Sequence, residues 1–125
     1  MIENEIGTII VETAIAIHRE LGPGLMETVY EVVLYDALKR KGLKIERQVS
    51  VPITYQDIKF EEGFRADLIV ENKVIVELKS VESIIAAHKK QLQTYLRLTG
   101  CKLGYILNFG EELMKNGISR SVNKL

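Results

Sequence analysis

Phe64-Arg65-Ala66-Asp67-Leu68-Ile69-Val70, then Glu71-Asn72-Lys73, then Val74-Ile75-Val76-Glu77-Leu78-Lys79: two apolar-rich runs stand on either side of a polar triplet. Their β-branched content and the polar break read as two strands of a hairpin. Alternation puts Val74, Val76 and Leu78 on one face of the second strand and Ile75, Glu77 and Lys79 on the other. On the first strand, Arg65, Asp67 and Ile69 share a face by the same rule. The loop decides whether the acids meet. With a three-residue loop, Val70 opposes Val74 and Asp67 opposes Glu77, their Cβ atoms about 4.5–5.5 Å apart. With a two-residue loop the register slips by one and the acids fall on opposite faces. A shared site therefore requires the longer loop or a compensating bulge.

Two carboxylates so placed repel each other unless positive charge lies between them. A divalent cation supplies it, and Lys79 adds more. Hard oxygen ligands on a rigid sheet suit Mg²⁺ or Mn²⁺, ions that polarise phosphoryl oxygens and acidify water. Lys79 is then the group to orient a water or to stabilise charge developing on phosphorus. The competing interpretation is an exposed strand face carrying ion pairs. Glu-x-Lys alone would signify no more than that; Asp67, Glu77 and Lys79 with a workable hairpin between them signify more.

Upstream, apolar residues from Ile2 through Ile6, Ile10, Ala14 and Ile17 to Leu21 predict a helix over about residues 2–21, stopped by Gly22-Pro23-Gly24. A second helix is expected from about Met26 to Lys41, with Val29, Tyr30, Val33, Leu34, Ala37 and Leu38 as its buried stripe. The period then changes to two, and Ile45, Val49, Val51, Ile53 and Tyr55 mark a strand. Gln56-Asp57 turns the chain, and the next strand runs from Phe60 to Val70, with Gly63 a bulge or bend. After Lys79 a third long helix is expected over about Ser83–Thr99, then a strand from Lys102 to Asn108. The tail reads as a short helix or an edge strand around Ile118–Val122. The expectation is an α/β fold in one domain over residues 1–125. A meander of three strands, a helical crossover and a fourth strand make a mixed four-stranded sheet, preceded by an extra N-terminal helix.

With 125 residues, 46% of them hydrophobic and 27% charged, the chain has ordinary single-domain composition. Lysine plus arginine and aspartate plus glutamate each number 17, a balance that disfavours tight non-specific binding to nucleic acid. Lys39, Arg40, Lys41, Lys44 and Arg47, and the pair Lys89-Lys90, read as solvated helix ends before they read as phosphate contacts. No apolar run is long enough to span a bilayer, and acids stand near Met1 where a secretion signal carries bases. A cytoplasmic protein without membrane partners is expected. The single cysteine, Cys101, rules out an internal disulfide, and no Cys/His spacing suggests zinc.

Two helices offer further polar groups. Glu27 and Tyr30 share a face; His88, Gln91 and Tyr95 follow i, i+3, i+7 spacing. On spacing alone the tyrosines read as core aromatics with satisfied hydroxyls, Glu27 as a favourable charge at a helix start, and His18 and His88 as boundary histidines.

Leu21-Gly22-Pro23-Gly24-Leu25-Met26-Glu27-Thr28-Val29-Tyr30 resembles the signature of the GxxExxY family, with Gly24, Glu27 and Tyr30 the naming residues. Glu46-Arg47-Gln48, the Asp67 and Glu77-Leu78-Lys79 strands, His88, Gln91 and Tyr95, and Leu103 to Gly110 fit in the same order. That family is assigned to the PD-(D/E)XK nuclease superfamily, whose core is αβββαβ. The resemblance implies that Asp67 is the motif aspartate, that Glu77 and Lys79 are the (D/E)-x-K pair, and that Glu27 is the acid of the core's first helix, near the metal. Asp67, Glu77 and the Leu78 backbone carbonyl would bind Mg²⁺ or Mn²⁺. Gln91 and Tyr95 resemble a Q-x-x-x-Y element that contacts phosphate or supports the site; Tyr30 and His88 would contact substrate or back the ligands. Ala66 stands where the superfamily name has proline, and Lys89-Lys90 is more basic than relatives are expected to be. The implied function is a metal-dependent phosphodiesterase acting on DNA or RNA, with a homodimer supplying two sites for a duplex. The alternative is a non-catalytic nucleic-acid-binding or protein-interaction module that keeps the fold.

Overall fold

A computed structural model describes residues 1–125. Helix α1 spans Glu3–Leu21 and α2 spans Glu27–Arg40; strands β1, Ile45–Tyr55, β2, Ile58–Val70, and β3, Val74–Lys79, follow, then α3, Ala86–Thr99, and β4, Leu103–Asn108. The tail holds both alternatives read from the sequence, a 3-10 turn at Met114–Asn116 and an edge strand β5, Ile118–Val122. The sheet therefore has five strands, one more than the expected four, in the order β1-β2-β3-β4-β5. Only β3 and β4 run parallel; every other neighbouring pair is antiparallel.

The decisive hairpin has the three-residue loop. Val70 pairs with Val74 and Leu68 with Val76, while Glu71 and Asn72 take left-handed backbone with φ 54° and 55°. The expected irregularity at Gly63 is also present. Between the pairs Val51–Phe64 and Ile53–Phe60, β1 contributes only Pro52 where β2 contributes Glu61, Glu62 and Gly63. Pro52 has no N–H to give the ladder, and a side chain on Gly63 would run into Ile53.

Helices α1 and α2 cover one face of the sheet. Ile6, Ile10, Tyr30, Leu34 and Leu38 pack there on Leu68, Val70, Val74, Val76 and Leu78. Helix α3 covers part of the other face, where Leu92 and Leu96 meet Phe64, Ala66, Ile75 and Ile106. In an uninterrupted strand, Phe64, Ala66, Leu68 and Val70 would share one face. Here the first two pack toward α3 and the last two toward α1 and α2. The change falls at Asp67, beside Gln48 of β1, whose φ is 50°.

Three sequence expectations need correction. The buried side of α2 is Tyr30, Glu31, Leu34 and Leu38, whereas Val29 and Val33 are exposed. Helix α3 begins at Ala86 rather than Ser83; upstream, Val81 is tied to the Asn108 side chain of β4, and Ile85 has extended backbone. Ile85, inside the expected span of Ser83–Thr99, stands outside the helix and is exposed.

Candidate metal and phosphate site

The β2–β3 ladder stops at Leu68–Val76, one pair short of Asp67 and Glu77. Beyond it the carboxylates replace the backbone partners. Asp67 N–H donates to Glu77 Oε2 at 2.8 Å, and Leu78 N–H donates to Asp67 Oδ2 at 2.9 Å. The sequence thus brings both acids into the same gap between strands, as the longer loop requires. Glu77 is buried, with 7% of its surface exposed, and Asp67 is half-buried.

The electrostatics of the gap are unfavourable to two free anions. Burial, then the charge of Asp67, pushes the Glu77 carboxyl up to about 8, against the pull of the Asp67 N–H and of Lys79. Burial likewise raises Asp67, opposed first by the Leu78 N–H, with Glu31 adding to the rise and Lys79 and Gln48 resisting it. Neither carboxylate takes part in a side-chain salt bridge. Lys79 acts on both from the end of β3. On α3, Tyr95 stacks on Phe64 with ring centroids 3.8 Å apart. Burial, then the charges of Glu77 and Asp67, raises its hydroxyl above the usual phenol range.

Residues sequence reasoning missed are Glu31, Arg47 and Gln48 as a group. The buried Glu31 carboxylate accepts from Arg47 Nε at 3.0 Å and from Gln48 Nε2 at 2.8 Å. Gln48 Nε2 also reaches Asp67 Oδ1 at 3.4 Å. The left-handed backbone at Gln48 lets one amide link the helix acid to the strand acid. The available signal was an acid one turn beyond Glu27 paired with an adjacent Arg-Gln.

Other expected site residues are placed differently. Glu27, expected to complete the acidic cluster, instead accepts the Ser80 N–H at 3.0 Å. Glu31 is a further helix acid whose charge bears on Asp67 and Glu77. Tyr30 cannot touch substrate: it has 0% of its surface exposed, and its hydroxyl donates to Gly22 O and accepts from Leu25 N–H. His88 uses Nδ1 to accept the Ile85 N–H at 3.2 Å, a cap on the start of α3. Gln91 is exposed on α3, one turn before Tyr95.

No three His, Cys, Asp or Glu side chains form a ready cage for a metal ion. Asp67 and Glu77 nonetheless fit a small hard dication. They are adjacent oxygen donors whose burial disfavours their ionised forms, and ions of the Mg²⁺ type are usually held by one or two carboxylates, with waters and phosphate filling the rest. The chain matches the family model of the PD-(D/E)XK nuclease superfamily over residues 4–121 and belongs to that superfamily. No curated protein and no solved structure matches it. Membership points to nuclease-type chemistry on a nucleic acid, which in this superfamily generally depends on a divalent metal. No helix is long and apolar enough to cross a membrane.

Proposed function

We propose that this protein is a Mg²⁺- or Mn²⁺-dependent phosphodiesterase of the GxxExxY type, cleaving DNA or RNA at the Asp67–Glu77–Lys79 site. The observation that carries the reading is the meeting of two acids in the β2–β3 gap with a lysine at the strand end. Asp67, Glu77 and the Leu78 carbonyl would hold the cation. When bound, the cation supplies charge to the phosphoryl oxygen and acidity to water. Lys79 orients the attacking water and stabilises charge developing on phosphorus. Glu31, through Gln48, fixes the orientation of Asp67. Tyr95, set by its stack on Phe64, and the exposed Gln91 line the approach for the phosphate backbone. Cutting both strands of a duplex calls for two such sites, so a homodimer is the assembly a duplex substrate would require.

The test is cleavage of single-stranded, double-stranded and branched DNA and of RNA, with Mg²⁺, with Mn²⁺ and with chelator. Lys79→Ala should abolish cleavage while leaving the fold and Mn²⁺ binding intact. Cleavage by Lys79→Ala at the wild-type rate removes the assigned role. Binding of nucleic acid without cleavage under all conditions selects a non-catalytic module instead.

A further inference from the structure

The signature residues Gly24, Glu27 and Tyr30 converge on one place, the end of β3. Strand β3 stops at Lys79, and the next six residues form neither helix nor strand. Each peptide leaving Lys79 is nevertheless fixed. Lys79 O accepts the Phe109 N–H at 2.8 Å. Ser80 N–H donates to Glu27 Oε2 at 3.0 Å, and Ser80 Oγ donates to Leu25 O at 2.7 Å. The buried Asn108 side chain accepts the Val81 N–H at 3.0 Å and donates to Val81 O at 2.9 Å.

The Leu25 side of this contact is itself anchored. Tyr30 Oη accepts the Leu25 N–H at 3.0 Å and donates to Gly22 O at 2.6 Å. Its ring stacks on Phe109, centroids 4.3 Å apart, and Phe109 is the residue that holds Lys79 O. Gly24 bends the loop between them at φ 100°, a conformation costly for any residue with a side chain. The contacts close into a ring: Tyr30 to Leu25, Leu25 and Glu27 to Ser80, Lys79 to Phe109, and Phe109 back to Tyr30.

We infer that Glu27 is a positioning residue for Lys79, acting through the Ser80 N–H, and that the glycine–glutamate–tyrosine signature is a clamp on the exit of β3. This deepens the nuclease reading and rests on it for its kinetic consequences. A carboxylate accepting a backbone N–H makes a charge-assisted bond. Without it the strand end has no ladder partner on that side and frays. Displacement of the lysine by about 1 Å can cost on the order of a hundredfold in rate.

The test compares Glu27→Gln with Glu27→Ala. The glutamine keeps an oxygen acceptor for Ser80 but has no negative charge to give a metal. A positioning role predicts that Glu27→Gln retains a rate within about threefold of wild type. Glu27→Ala should lower kcat by roughly ten- to a hundredfold, the usual effect of losing a group that holds a ligand or catalytic residue in place. KM and the Mn²⁺ dissociation constant should stay within about twofold of wild type. Loss of cleavage in Glu27→Gln equal to that in Glu27→Ala, or Mn²⁺ binding weakened about tenfold in either variant, makes Glu27 a ligand and overturns the inference. An unchanged kcat in folded Glu27→Ala overturns it as well. If Glu27→Ala does not fold, Glu27→Gln alone decides by its rate and its metal affinity. Amide exchange at Ser80 and Val81 reads the clamp independently of cleavage. It should accelerate in Glu27→Ala and stay at the wild-type rate in Glu27→Gln, even if no nucleic acid is cut and the nuclease reading fails. Unchanged exchange in Glu27→Ala counts against the clamp itself.

Discussion

Raising the pH of the chelated protein should destabilise it through one buried carboxyl. Glu77 ionises in the unfolded chain near its ordinary 4.5, whereas in the fold burial and the neighbouring Asp67 push it up to about 8. Between these values the folded state binds one more proton than the unfolded state. The contribution to stability is therefore complete below the lower value and is lost as pH rises toward the upper one. The slope is about 1.4 kcal/mol per pH unit, so going from about pH 5.5 to about pH 7.5 removes roughly 3 kcal/mol. For a chain of this size that lowers Tm by about 10 °C. Asp67, raised by the same burial, adds in the same direction at the acid end. Other carboxylates push the opposite way, so the informative quantity is the difference from Glu77→Gln, which keeps an oxygen for the Asp67 N–H but does not titrate. Thermal unfolding of both proteins across this range, in chelator, should show wild type falling relative to the variant. Parallel curves would mean that Glu77 is not held protonated by its surroundings.

Two further substitutions probe a support of the site and the packing of α1 on the sheet. Glu31→Ala removes the partner of Arg47, whose side chain is 35% exposed. Partial exposure reduces the cost of the unpaired guanidinium to about 2 kcal/mol. The same change removes a negative neighbour of Glu77, so Glu77 should release its proton at lower pH, measurable by carbon-detected NMR titration; an unmoved titration would disconnect the two acids. Elsewhere on the same face of the sheet, a side chain on Gly7 of α1 would collide with the Tyr105 hydroxyl on β4. Gly7→Ala should cost about 2 kcal/mol by overpacking, and adding Tyr105→Phe should recover part of it in denaturant unfolding; no recovery would place the strain elsewhere.

Much of the sheet was legible because its signals are local. Strand alternation and a polar triplet determine the Asp67–Glu77 register, and Gly63 announces the irregularity where Pro52 interrupts the ladder. Helix α2 was harder to read. It carries apolar residues on two sides, Val29, Val32 and Val33 on one and Tyr30, Leu34 and Leu38 on the other. Periodicity alone does not say which side is covered. Tertiary structure buries the second side together with Glu31, an acid that is stable there because Arg47 and Gln48 meet it from β1. The left-handed backbone at Gln48 was equally hidden, since glutamine carries no mark for that conformation. Glu27 and Tyr30 stood out as a motif, but the motif's spacing is silent on its partner, and Ser80 lies 53 residues away in the chain.

The most direct experiment is a crystal grown or soaked in Mn²⁺ and measured for anomalous scattering. A dication-dependent site at the β2–β3 gap predicts a peak contacting both Asp67 and Glu77 and absent from Asp67→Asn crystals. A peak elsewhere in the fold, or none at saturating Mn²⁺ with both carboxylates ordered, would contradict it.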